Sequence, residues 1–320
     1  MKLVELSSLH AERDALTGLL DDIPVDDVID RGGILAKLDE VRARIAAAVL
    51  QRQPAKTRLT FRGRPVLGSH GIYADFGLRA VNGFSEAVVA VAASLTAPLK
   101  AKGPIRNREQ HQLLITNTAL GSFGFELEEP PSAELPFGEK SIVEQAIDKT
   151  QLLLLAAAQA DDDALADSAA EMDKRAVDRV REFVKTLVDG EALCAIEYND
   201  RVFRFESSAQ IQRALDRMSE TNLHEATEDI EGAFVGAMTY KRRGFEFRIA
   251  ATGDVVVGRF GPGVEHPEEV NKHLGTPCVI RTTVTRVGGG QPRYLLHEMP
   301  AWPGSALERP ASAGEGPLDN

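Results

Sequence analysis

The stretch GAFVGAMTYKRRGFEFRIAATGDVVVGRF, residues 232–260, decides the fold of this chain, because the pattern changes there from helices to strands. Three strand-like runs lie in it, Ala233–Tyr240, Phe245–Ala250 and Val255–Phe260, divided by turns that carry Gly244 and Gly253. Downstream, a short helix is expected over Glu268–Leu274, then two more strands, Cys278–Val287 and Arg293–Glu298.

Strand, strand, strand, helix, strand, strand is the order of a five-stranded OB-type barrel, and an SH3-like or Sm-like barrel fits the same spacing. After Met299 the chain turns rich in Pro, Gly, Ser and Ala, so 300–320 is expected to form a disordered tail. Upstream, a strand pair is expected at Leu193–Tyr198 and Val202–Phe205, turned by Asn199-Asp200, with a helix from Ala209 to Met218.

Two helices, Glu139–Ala160 and Ala164–Val188, precede this, separated by Asp161-Asp162-Asp163 as a helix cap. The end of the first, Leu152–Leu155, is apolar nearly all round and is expected to be buried between neighbours or in an oligomer interface. Pro130-Pro131 marks a boundary, since adjacent prolines continue neither a helix nor a central strand. Before it, Pro54–Glu129 reads as a small α+β unit. Arg58, Thr60, Arg62 and Arg64 alternate there with Leu59, Phe61 and Gly63, the period of a half-buried strand with an arginine-bearing face. A helix over Leu78–Leu95 and strands at Leu113–Thr118 and Ser122–Leu127 follow. At the N-terminus, Leu3–Leu20 and Ile34–Gln51 read as a helical hairpin interrupted around Gly32-Gly33, with Ile34, Leu38, Val41, Ile45 and Val49 in one apolar stripe.

The fold class is therefore α+β. Its parts are a helical hairpin (1–53), a basic α+β domain (54–129), an acidic helical region (130–189), a strand pair with helix and small β-barrel (190–299), and the tail.

Of the 320 residues, 43% are hydrophobic, 27% charged and 6% aromatic, the composition of a globular protein and not of a fibrous one. The longest apolar run, Ala87–Leu95, is about half of the 18 to 20 residues a bilayer span needs, so no membrane role is expected. Met1–Leu6 carries Glu5 and no apolar signal region, which makes a cytoplasmic location the expectation. Cys194 and Cys278 lie in separate apolar stretches without metal-site spacing and are expected to be reduced and buried.

The formal charge of −11 argues against indiscriminate nucleic-acid binding, yet charge is strongly segregated. Residues 56–108 hold nine basic groups against Asp75 and Glu86, whereas 126–173 holds thirteen acids against Lys140 and Lys149. Arg58, Arg62, Arg64, Lys100, Lys102, Arg106 and Arg108 are thus candidate anion or nucleic-acid contacts. The loop Gly68–Gly77 joins the arginine strand to a helix start, where Ser69 and His70 could meet an anion and His70 could act as acid or base. Lys241, Arg242 and Arg243 form a second basic group, flanked by Tyr240, Phe245 and Phe247, which could stack bases or could be core. His224-Glu225 and the His266/His273 pair do not match HExxH, and Asp161–Asp163 lacks a calcium-loop pattern, so no metal and no cofactor are expected.

No catalytic constellation emerges. The leading expectation is a non-enzymatic interaction or regulatory protein that binds a macromolecular partner as an oligomer or complex subunit. A nucleic-acid-binding protein, and an enzyme acting on a phosphate-containing substrate at the Gly68 loop, are the alternatives.

Overall fold

A computed structural model describes residues 3–24, 27–51, 56–100, 102–119, 123–130, 140–236 and 243–302. The chain is mixed α and β and divides into two compact units, Met1–His224 with Arg286–Gln291, and Glu225–Thr285 with the chain from Pro292. Each unit has its own apolar core.

The first unit opens with α1 (Leu3–Asp22) and α2 (Val28–Gln51), antiparallel neighbours around Leu9, Val41 and Ile45. Helix α2 starts six residues before the expected Ile34 and runs through Gly32 and Gly33. The Arg31 guanidinium donates to the carbonyls of Leu20 and Ile23, which pins the turn and offsets the small helix penalty of the two glycines.

Next come β1 (Lys56–Gly63), the two-residue strands β2 (Val66–Leu67) and β3 (Gly71–Ile72), α3 (Ala74–Thr96), β4 (Leu114–Ala119) and β5 (Gly124–Glu128). Helices α4 (Ile142–Ala158), α5 (Asp162–Ala169) and α6 (Lys174–Asp189), strands β6 (Ala192–Tyr198) and β7 (Arg201–Arg204), and helix α7 (Ser208–Arg217) complete the unit. The sheet order is β4-β5-β1-β6-β7, with every pair antiparallel and β1 central. Alternation in β1 turns Leu59 and Phe61 into the core and Arg58 and Arg62 outward, as its sequence period requires.

Helix α3 packs against α4 and α6, with Phe84 edge-on to Phe183 at 5.6 Å and Phe76 edge-on to Phe61 at 5.5 Å. By length and composition α3 could cross a bilayer, but 61% of its most apolar window is buried in this core. The expected boundary at Pro130-Pro131 falls inside the first unit. Residues from Leu59 to Leu223 share one core, because β1 takes β5 from one side of the prolines and β6 from the other.

The expected helix Ala164–Val188 is two helices. Helix α5 is capped by Asp161, which accepts from the backbone N–H groups of Asp163 and Ala164, and α6 starts after Asp173. The Asp173 carboxylate is drawn to the Leu99 N–H, a tertiary partner with no local signature.

The second unit contains β8 (Leu223–Phe234, entering from the first), β9 (Gly244–Ile249), β10 (Val255–Phe260), a 3-10 helix at Pro267–His273, β11 (Pro277–Val287) and β12 (Arg293–Leu296). Strand order is β10-β12-β11-β8-β9, and β9 pairs back onto β10. The β10–β12 pair is parallel, and β9–β10, β11–β12 and β8–β9 are antiparallel. Phe234, Phe245, Phe247 and Phe260 fill the core with Ile280 and Leu296. Trp302, assigned to the tail by composition, belongs to this core; residues 303–320 lie outside the described residues.

Candidate functional site

The second unit carries a groove of about 750 Å³ lined by β8, the end of β9, the start of β11 and Ala301–Trp302. Many of its wall residues are short, among them Gly232, Ala233, Ala250 and Gly275, and this shortage of bulk leaves space. Gly232 is required by close approach, since a Cβ there would lie 2.0 Å from the Arg248 carbonyl oxygen and 2.5 Å from the Phe247 ring. Val279 is half exposed on one wall, while Trp302 lies flat against the His273 ring at a centroid distance of 4.1 Å. The charged groups of the groove are Glu231 and Arg248, and neither has an ion-pair partner among the described residues.

Cys278 also lines the groove, with its thiol buried and pushed up to about 11 by burial, against which a hydrogen bond with Trp302 works. Cys194, in β6, is wholly buried and its thiol is raised further by the same cause. Both thiols are free, as expected from their spacing. Thiolate is the reactive species, so at neutral pH a thiol reagent should label the native chain far more slowly than the denatured chain. Labelling of native Cys278 at the rate of a free thiol would contradict this packing.

The sequence-derived candidates are placed as follows. Gly68, Ser69 and His70 form the exposed tip of the β2–β3 hairpin and are not at the start of α3, which follows Tyr73. No hydrogen bond or ion pair among the described residues joins His70 to Arg62 or Arg64. Those guanidinium groups turn to carboxylates, Arg64 to Glu191 at 2.7 Å and Arg62 to Glu206 at 3.9 Å. Lys56 reaches Glu126 at 2.6 Å and Glu128 at 3.5 Å, Arg58 reaches Glu126 and Glu197, Arg79 reaches Asp75, and Arg108 pairs with Glu86. The hydrogen bond from Lys56 holds the Glu126 carboxyl below its ordinary range and raises the Lys56 ammonium. Six of the nine basic residues of 56–108 are thus met by carboxylates. Lys100, Lys102 and Arg106 are exposed and have no such partner among the described residues.

Lys241 and Arg242, with Tyr240, lie outside the described residues. Arg243 is held inward, donating to the carbonyls of Phe260, Gly261 and Val264. Phe245 and Phe247 are core residues, which removes them as stacking surfaces. Of Leu152–Leu155, expected to be buried between neighbours or in an oligomer interface, Leu153 and Leu154 are buried in the core, whereas Leu152 and Leu155 are each 44% exposed on α4. Among the described residues no three His, Cys, Asp or Glu side chains gather as a metal site would require.

Sequence reasoning missed the groove altogether. Most of its residues are apolar and many are small, and nothing local distinguishes these from core. Comparison of the chain with protein-family models, curated proteins and solved structures finds no match.

Proposed function

We propose that this chain is a non-enzymatic binding protein, a cytoplasmic complex subunit, whose second unit is an OB-type barrel that takes an extended segment of a protein partner in the β8–β11 groove. The strand order supports the barrel type. Numbered within the unit, it runs first-second-third-fifth-fourth and returns to the first, with the third and fifth strands parallel and a short helix between the third and fourth. The observation that carries the functional reading is the groove itself. Its volume lies within the range of ligand-binding clefts, its walls are apolar, and Arg248 and Glu231 stand in it as opposite charges that could fix the direction of a bound segment. The exposed pair Leu152 and Leu155 on α4 supplies a separate apolar contact for assembly.

A second reading, single-stranded nucleic acid, draws on one observation. Lys241, Arg242 and Arg243 belong to the segment joining the first two barrel strands, a place where barrels of this type contact oligonucleotides. Against it stand the inward-held Arg243 and the burial of both flanking phenylalanines.

Selection of peptides against the full chain by display discriminates the two. Trp302 is the chain's single tryptophan and lines the groove, so its emission reports on occupancy. Selected peptides should be apolar with an acidic residue, should shift the Trp302 emission, and should lose about tenfold in affinity with Arg248→Glu. Filling the groove by Ala233→Trp should abolish binding. Peptides indifferent to both substitutions would sink the protein-binding reading. Salt-sensitive oligonucleotide binding that disappears with Lys241→Glu/Arg242→Glu would put the second reading in its place.

A further inference from the structure

Once the ion pairs of the first unit are counted, the basic surplus of residues 56–108 is concentrated in a single connection, the segment between α3 and β4. Lys100, Lys102 and Arg106 project there into solvent with no carboxylate partner among the described residues. The backbone that carries them is tied to the first turn of α6. Arg175 donates to the carbonyl oxygens of Lys100, at 3.0 Å, and Gly103, at 2.5 Å, and the Asp173 carboxylate accepts the Leu99 N–H at 2.9 Å. A loop tethered at Leu99, Lys100 and Gly103 loses less backbone entropy when it binds than an untethered one. Arg108, later in the same connection, is already paired with Glu86, which confines the unpaired positive charge of residues 56–108 to these three residues.

We infer that this loop is a docking surface for an acidic segment of a protein partner, separate from the groove of the second unit. Carboxylate is the counter-ion that the neighbouring basic residues take, as Lys56, Arg58, Arg62 and Arg64 show. Nucleic acid is disfavoured because the segment from Ala97 to Asn107 contains no aromatic side chain on which a base could stack. The net charge of −11 repels any polyanion at long range, an acidic peptide included, so the attraction must come from the three loop cations at close range.

The experiment is a titration of the full chain with a fluorescein-labelled deca-glutamate peptide at low and at physiological ionic strength. An oligodeoxynucleotide of matched charge is titrated in parallel. The variants are Lys100→Glu/Lys102→Glu/Arg106→Glu and, as an equal-charge control on α2, Lys37→Glu/Arg42→Glu/Arg44→Glu. The wild-type chain should bind the peptide, more weakly at the higher ionic strength. The loop triple variant should lose about tenfold or more, since three exposed attractions become repulsions, and the control should lose about twofold or less. The thermal melt of the loop variant should overlay that of the wild type, because its substituted side chains are exposed, and that of the control should fall only slightly, since Lys37 and Arg42 lose surface ion pairs with Glu40 and Asp39. Absence of peptide binding, an equal loss in the control, or tighter binding of the oligonucleotide that depends on the same three residues would each overturn the inference.

Discussion

Phe234→Ala should lower the stability of the second unit by about 3–5 kcal/mol while leaving the helical transition of the first where it is. Phe234 is fully buried and meets Phe247 edge-on at 5.1 Å and Phe245 edge-on at 5.6 Å, with Phe260 and Trp302 each at 6.4 Å. Truncation removes the ring's transfer free energy and leaves a cavity that four rigid aromatic rings are poorly shaped to fill. A domain is stable by only about 5–15 kcal/mol, so a loss of this size is a large fraction of the total. The two units can be followed separately. The single tryptophan, Trp302, lies in the second core, and all seven described α-helices lie in the first unit. Denaturant unfolding should show the tryptophan-detected midpoint falling and the midpoint by circular dichroism at the helical band unchanged. Equal movement of both signals would mean that the two cores unfold as one, and the separation argued from their packing would be wrong.

Gly124→Ala should cost the first unit about 3 kcal/mol. A Cβ at position 124 would lie 2.2 Å from the Leu59 carbonyl oxygen and 2.7 Å from the Thr60 Cα. Both are backbone atoms of β1, the central strand, so relief requires moving the sheet and not merely rotating a side chain. The shift should appear in the helical signal and not in the tryptophan signal, the reverse of Phe234→Ala. Gly18→Ala provides the contrast. Gly18 lies within α1 with nothing within 4 Å of a new Cβ, and alanine there should add about 0.5–1 kcal/mol by its higher helix propensity. A Gly124→Ala chain that melts like the wild type would refute the close β1–β5 approach.

Some elements were legible because their signals are local. The Arg58-Leu59-Thr60-Phe61-Arg62 alternation marks a strand with one buried face wherever that strand is placed, and the structure buries Leu59 and Phe61 as the period demands. Asp161 reads as a cap because its carboxylate reaches N–H groups only two and three residues away. A further local signal went unused. Ser141 and Glu144 form a capping box, and S-x-x-E at 141–144 places the start of α4 at Ile142 and not at Glu139.

The basic face shows why other features were not legible. Residues 56–108 look like an anion-binding surface when charge is summed along the chain. In space, one of the two carboxylates that meet Arg58 is 139 positions away, and the one that meets Arg64 is 127 away. Charge along a sequence says nothing about which strand will lie beside β1, and that choice neutralises most of the face. His70 was singled out for its neighbours in sequence, and the β2–β3 hairpin carries it to an exposed tip.

The sequence by itself determined most of the kinds of element, their order, and the buried face of strands such as β1, since periods of 2 and 3.6 residues are properties of a few consecutive residues. It also carried the order of five strands with a short helix between the third and fourth in the second unit, although the first strand runs Leu223–Phe234 and overlaps the expected Ala233–Tyr240 only at Ala233 and Phe234. Only the tertiary structure decided that the segments on both sides of Pro130-Pro131 share one core, that six basic residues of 56–108 find carboxylates and three do not, and that residues of β8, β9 and β11 meet Trp302 around a groove. Each of these depends on contacts between residues far apart in the chain. Such contacts form only when the packing of whole faces, summed over many side chains, outweighs the entropy of closing the loops between them.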